Sequence, residues 1–316
     1  RALEELQEAL KNVDPEAVQK SLDSFRLEHE KFQQELDRTI SLLKQIQQEQ
    51  ALDALTKQIE ELAEEQEKIT EHLETNQPNE ELVEREDTLQ DNTRQLQEDL
   101  NQTAENMPEQ TGEKLGDLSQ ELQDRKIADR MNQLSQKMRD GKQESSKNQS
   151  EGLAQDLKEL AKELESTRQE YLQSQRNELA RELNRALQDL LSLSRAQEET
   201  ATKASNASRE AETSPLSKEQ ARNISGASRM ADRMLKNSHK SLFVPPQVGT
   251  AMGKALQKMD ETAGHLQSGN SPRAAQSAKE AMGNLNTSAL MIRDALAALS
   301  AASSATGFDE MLQRMQ

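Results

Sequence analysis

The stretch LDALTKQIEELAEEQEKITEHL, residues 52–73, decides how this chain folds. Its apolar side chains Leu52, Leu55, Ile59, Leu62, Ile69 and Leu73 recur at steps of three, four and seven, and nearly everything between them is polar. A strand would alternate by two, whereas steps of three and four bring residues onto one face of an α-helix. The segment therefore reads as a helix that buries a narrow seam.

Working outward, Leu22, Phe25, Phe32, Leu36, Leu43 and Ile46 keep heptad spacing, with His29 and Thr39 in the remaining seam positions. No Gly or Pro interrupts residues 16–75. The spacing predicts one helix or two nearly collinear ones, ~90 Å long at 1.5 Å per residue. The frame slips between Ile46 and Leu52, which implies a change of partner helix or local over- or underwinding. Asp14-Pro15-Glu16 supplies an N-cap, a first-turn proline and an acid that suits the N-terminal dipole. A shorter helix carrying Leu3, Leu6 and Leu10 precedes it.

Downstream, Asn76 to Asn79 is a turn, and Leu82, Leu89, Leu96 and Leu100, with Thr93 in the seam, predict a helix that stops at Met107-Pro108. Leu115, Leu118, Leu122, Ile127, Met131, Leu134 and Met138 predict another that runs out at Gly141. The polar stretch Gly141–Gly152 reads as a hinge or flexible loop. A second long helix follows on Leu153, Leu157, Leu160 and Leu164, slips at Tyr171-Leu172, and resumes on Leu179, Leu183, Ala186, Leu190 and Leu193. Two long helices with one slip each can pair antiparallel with the slips opposed. Ser214-Pro215 punctuates the chain, with Ser217 and Gln220 at capping-box spacing. Helices are expected at about 216–240, 247–267 and 272–302, the last capped by Ser271.

Composition supports thin cores. Of 316 residues 33% are hydrophobic and 2% aromatic, with no Cys and no Trp. A thick-cored enzyme fold is not expected at this apolar content, and thiolate metal sites and disulfides are excluded outright. Disordered acidic chains lack regularly spaced Leu and Ile. Here the spacing is regular, and there are only 7 Pro and 11 Gly. The expected fold class is all-α: long antiparallel coiled-coil helices with a small C-terminal helical bundle, elongated overall.

Charge divides the chain into three. Residues 1–107 carry net −17, residues 108–212 net −4 and residues 213–316 net +4, and eight of the 11 Met lie in the last segment. The expected domains are an acidic long-helix arm (1–107), a second helical arm with a hinge near 141–152 (108–212) and a Met/Ala-rich bundle (213–316). Phosphate binding needs clustered Lys and Arg, so no nucleic acid is expected as a partner.

Tests for chemistry fail on spacing. Di-iron bundles need Glu-x-x-His pairs, but Arg26, Ile69, Lys236 and Thr262 precede the four histidines by three. His29-Glu30 opens like a zincin helix without its second His. Gly249–Ala255 lacks the length and the Ser or Thr of a P-loop. Ser41-Leu42-Leu43-Lys44 has none of the motifs that accompany Ser-x-x-Lys in acyl-enzymes. Glu60-Glu61 and Glu64-Glu65 read as solvated helix faces. No catalytic residue, cofactor or metal is expected, and the chain is read as non-enzymatic. The candidate interaction residues are Phe243 and Val244, in a rigid Phe-Val-Pro-Pro connector whose apolar pair also suits a helix-end core, with Met230, Met234, Met252 and Met259, whose spacing fits gap-filling core, the commoner case, or an adaptable binding groove.

The order of features carries a resemblance. A run from Leu42 to Leu55 leads into the Glu-rich helix of Glu60–Ile69. Phe243-Val244-Pro245-Pro246, a Gly269-Asn270-Ser271-Pro272 hairpin and Ala305-Thr306-Gly307-Phe308-Asp309-Glu310-Met311-Leu312 come later. This resembles the helical body of large membrane-anchored bacterial proteins of unknown function, in which transmembrane helices precede a Gln/Glu-rich coiled coil. The resemblance covers most of the chain. It implies an extracytoplasmic body at the bacterial cell envelope, on the outer side of the inner membrane, with membrane contact only through segments absent from this chain. A cytoplasmic location is the alternative.

The residues predict a scaffolding or spacing segment that engages protein partners, or itself, through coiled coils. The alternative is a regulatory module whose basic last segment binds an acidic partner or its own acidic arm. The chain starts and stops inside helical patterns, as a piece of something longer would.

Overall fold

The computed structural model describes residues 15–75, 78–207, 210–238 and 241–315, apart from the side chains of 15–35, 38, 210–212 and 235–238. The expected helix at Leu3–Leu10 and the Asp14 cap lie outside those residues, as do the side chains of Leu22, Phe25, His29 and Phe32. Among the described residues the regular structure is entirely α-helical: α1 (Pro15–Thr75), α2 (Glu80–Asn106), α3 (Glu109–Asp124), α4 (Ile127–Arg139), α5 (Gln143–Asn206), α6 (Glu210–Ser238), α7 (Gln247–Gln267), α8 (Ser271–Ala301) and α9 (Phe308–Met315). None is long and apolar enough to cross a membrane.

The chain packs as two compact units. One comprises Gln45–Gln188 with Ile292–Gln316; the other joins Asp189–Met291 to the part of α1 up to Lys44. In the first unit the expected seams form the core. Leu52, Ile59, Ile69 and Leu73 of α1, Leu82, Leu96 and Leu100 of α2, Leu115 of α3, Ile127 and Leu134 of α4, and Leu153 and Leu164 of α5 all belong to one buried cluster. Burial of this kind stabilises by ~1.5–3 kcal/mol per large side chain.

Within this unit α1 and α5 run antiparallel. Glu74 pairs with Lys147, Glu67 with Lys158 and Asp53 with Arg168, and the Tyr171 hydroxyl donates to Gln48, so residue numbers fall along one helix as they rise along the other. The two frame slips therefore face each other. The segment after α8 fills that place, and Ala305 joins the core cluster.

The turns obey local chemistry. Asn79 caps α2 by accepting from Leu82 N–H at 2.9 Å. Pro108 ends that helix and starts α3, and Gly112 lies so close to it that a Cβ would stand 2.7 Å from the Ala104 carbonyl oxygen. The helix expected from Leu115 to Met138 is two, broken at Lys126, whose backbone is left-handed (φ 52°). The loop expected over 141–152 shrinks to Gly141 (φ 70°) and Lys142, because the α5 seam continues N-terminally through the buried Ser146 and Ser150.

In the second unit, Pro215 lies inside α6 rather than at its start, and Ser217 is a buried helical residue rather than a cap. The stripe Leu216, Gln220, Ala227, Met230 and Met234 is buried along α6. That burial outweighs the single helical hydrogen bond a proline removes. Asn270, not Ser271, caps α8, accepting from Arg273 N–H at 3.3 Å. Two small clusters form part of this core: Ala204, Leu216, Leu266, Ala274 and Ala275, and Ala227, Met259 and Ala281.

Candidate functional site

The residues picked out by sequence are mostly interior. Met230, Met234, Met252, Met259 and Val244 are buried, while Phe243 is half-buried, its N–H donating to Ser241 Oγ at 3.1 Å. Of the two readings of the Met pattern, this burial fits the core one. Flexible thioethers fill irregular gaps between helices lined with Ala, and here that is where they lie.

Exposed apolar groups occur elsewhere. Leu36, Ile40 and Leu43 on α1 are 47%, 56% and 51% exposed, and their spacing puts them on one stripe. On α9, Met311, Leu312 and Met315 are also exposed. Leu36 and Leu43 belong to the heptad frame that precedes the α1 slip, and among the described side chains of that frame Ile46 is the buried one.

A second feature is a pair of carboxylate clamps in the first unit. Glu49 accepts from the N–H groups of Ala305 and Thr306, both at 2.9 Å, and from the Thr306 hydroxyl at 2.8 Å. Burial raises its pKa, and these three donors oppose the shift. Glu310 accepts from the N–H groups of Ser303 and Ser304 and from both hydroxyls. Burial pushes Glu310 upward too, but the Ser304 hydroxyl and the backbone donors carry it below the ordinary carboxylate value. Tyr171, which donates to Gln48 beside this site, has its phenol pKa raised by burial and by the Glu49 charge.

The third feature lies deeper. Gln66 of α1, Glu86 of α2 and Ser150 of α5 are all fully buried. Gln66 Nε2 donates to Glu86 Oε2 and to Ser150 Oγ, both at 3.0 Å. Thr70 Oγ1 lies 2.7 Å from Ser150 Oγ and donates to the Gln66 carbonyl at 2.9 Å. Gln66 and Glu86 each fill the gap in their own heptad, between Leu62 and Ile69 and between Leu82 and Leu89. Sequence reading passed over both, although an unbroken 3–4 spacing with one polar member was the signal available.

Two further arrangements complete the picture. In the second unit Gln197 and Gln220 exchange amide hydrogen bonds at 3.0 and 3.1 Å, and Gln220 also donates to the Met259 carbonyl. In the first, a groove of about 410 Å³ is lined by Lys114, Thr167, Glu170, Tyr171 and Arg181 among others, and Lys114 is already paired with Glu170. Among the described residues no group of three or more His, Asp or Glu is placed to hold a metal ion. Compared with known proteins, the chain matches no family model, no curated protein and no solved structure.

Proposed function

We propose that this chain is a non-enzymatic helical scaffold that associates through exposed helix seams, and that the stripe on α1 pairs with a second copy of the chain. The observation that carries the reading is the exposure of Leu36 and Leu43, with Ile40 beside them, in a frame whose heptad spacing starts at Leu22. An apolar seam of that kind is buried by a helix carrying the same repeat.

Charge favours a second copy as the occupant. Residues 15–44 hold six acidic and five basic side chains, whereas residues 45–107 hold 18 acidic and four basic. Two copies of the first stretch can meet without the like-charge repulsion that two copies of the second would suffer. A cationic partner would seek residues 45–107 instead.

The setting proposed with this function is a bacterial cell envelope, and it rests on the resemblance of the helical body to membrane-anchored proteins. The regulatory alternative draws on the +4 of residues 213–316. It has less support: where Glu49 of the acidic arm meets that segment, the donors are N–H and hydroxyl groups of Ala305 and Thr306 rather than Lys or Arg.

The chain has no native Cys, so single thiols report contacts without background. Under mild oxidation Leu36→Cys is expected to give a covalent dimer, and Asp37→Cys, about 100° away around the helix, to stay mostly monomeric. Equal cross-linking of both, or none at Leu36→Cys, counts against the seam.

A further inference from the structure

The buried layer of Gln66, Glu86 and Ser150 leaves specific atoms without partners. Gln66 Oε1 and Glu86 Oε1 are both buried and accept no hydrogen bond. These are the amide oxygen and the second carboxyl oxygen of the two groups already joined by the 3.0 Å Nε2–H···Oε2 bond. Two lone-pair oxygens without a donor are costly in a core. The donors of the layer are committed: the Gln66 amide to Glu86 and Ser150, the Thr70 hydroxyl to the Gln66 carbonyl, and with it the Ser150 hydroxyl to Thr70; the Ser146 hydroxyl, one turn before Ser150, bonds to neither oxygen.

We infer that Glu86 is a neutral carboxylic acid in the folded chain, its Oε1–H donating to Gln66 Oε1 to close a two-bond ring, so that its ionisation unlocks the seam between α1, α2 and α5. One proton satisfies both orphaned oxygens at once. A carboxyl group presents the same pair of edges as an amide, and the chain builds the amide version of this ring at Gln197–Gln220. Closed, the ring ties α1 to α2, and the second hydrogen of the Gln66 amide ties both to Ser150 of α5. Ionised, the carboxylate turns Oε1 from a donor into a second acceptor facing Gln66 Oε1, in a place without water contact.

The surrounding charges are taken up elsewhere. On α2 itself, Arg85 pairs with Glu65 of α1, and Asp87 with Arg139 of α4 while also accepting from Ser135. On α5, Lys147 pairs with Glu74 and Glu151. The α3 helix meets α2 farther along, where Ser119 donates to the Gln97 carbonyl. Burial pushes the Glu86 carboxyl up to about 8; the Gln66 hydrogen bond opposes this and the Asp87 charge adds to it.

The direct test is a ¹³C NMR titration of the Glu86 carboxyl in the intact chain, with Glu86→Gln as a companion variant. The inference expects Glu86 to titrate near pH 8. It also expects the unfolding constant of the native chain, relative to Glu86→Gln, to rise up to tenfold per pH unit between about pH 5 and 8 and then to level off. The amide variant keeps the ring without a titrating proton and supplies the flat reference. A Glu86 carboxyl that titrates in the ordinary carboxylate range overturns the inference. So does a stability ratio that does not change with pH. Should Glu86→Gln fail to fold, the titration of the native chain decides alone.

Discussion

Glu49 and Thr306, 257 residues apart, are joined twice: the Thr306 N–H and the Thr306 hydroxyl both donate to one carboxylate. With Ala305 N–H as a third donor, this one acid fastens the segment after α8 to α1 at the place where the seams of α1 and α5 change frame. A frame slip rotates apolar faces apart, and here a short stretch of chain fills the space that opens.

Removing that acid should free the segment without unfolding the helices. Glu49→Ala is expected to lower stability by about 1–3 kcal/mol, the usual range for buried donors left unpaired. Hydrogen exchange should report lost protection at the amides of Ala305 and Thr306, while those of α2 and α4 keep theirs. Unchanged protection at both would contradict the clamp.

Glu310 gives a pH signature of opposite sign to that of Glu86. Its folded pKa lies below the ordinary 4.5, so its contribution is full above that value and is lost as pH falls through the depressed one. On acidification the Ser303 and Ser304 amides are expected to exchange faster, and Glu310→Gln should remove the dependence. An amide exchange profile that follows only the intrinsic pH dependence would leave the clamp without support.

Gly112 tests the packing of α2 against α3. A methyl group there would meet the Ala104 carbonyl oxygen at 2.7 Å, a backbone atom that cannot swing aside. Gly112→Ala is therefore expected to destabilise by ~1–3 kcal/mol through overpacking, although Ala is the better helix former. Gly116, with open space around its Cβ position, should instead tolerate or gain from Ala. Denaturant midpoints of the two variants moving together in the stabilising direction would refute the close approach.

What the sequence reveals here follows from where its apolar residues stand. Leu52, Ile59 and Ile69, or Leu153 and Leu164, announce their seams because nearly every neighbour is polar, and the opposed slips near Ile46 and Tyr171 can be read from the same spacing. Seam positions held by polar residues are legible only in part: Thr93 is placed by the spacing around it, while others stay hidden. Gln66, Glu86 and Ser150 look like gaps or a loop until the facing helices supply partners. The break at Lys126 and the helical Pro215 are set by packing, which overrides local preference. The Met residues of the last segment can be read two ways from sequence, because a thioether that fills a core and one that forms a docking face have the same pattern. The exposed part of α1 was legible as a seam, but that the described residues leave Leu36, Ile40 and Leu43 about half exposed was not.

The association of two chains through that seam is tested most directly by sedimentation equilibrium of the full chain beside a variant carrying Leu36→Ser, Ile40→Ser and Leu43→Ser. All three side chains are about half exposed, so the substitutions should cost the fold of a single chain little. The proposal predicts a concentration-dependent dimer for the native chain and a monomer for the variant, with helical content unchanged. A native chain that stays monomeric, or a variant that dimerises equally well, would contradict it.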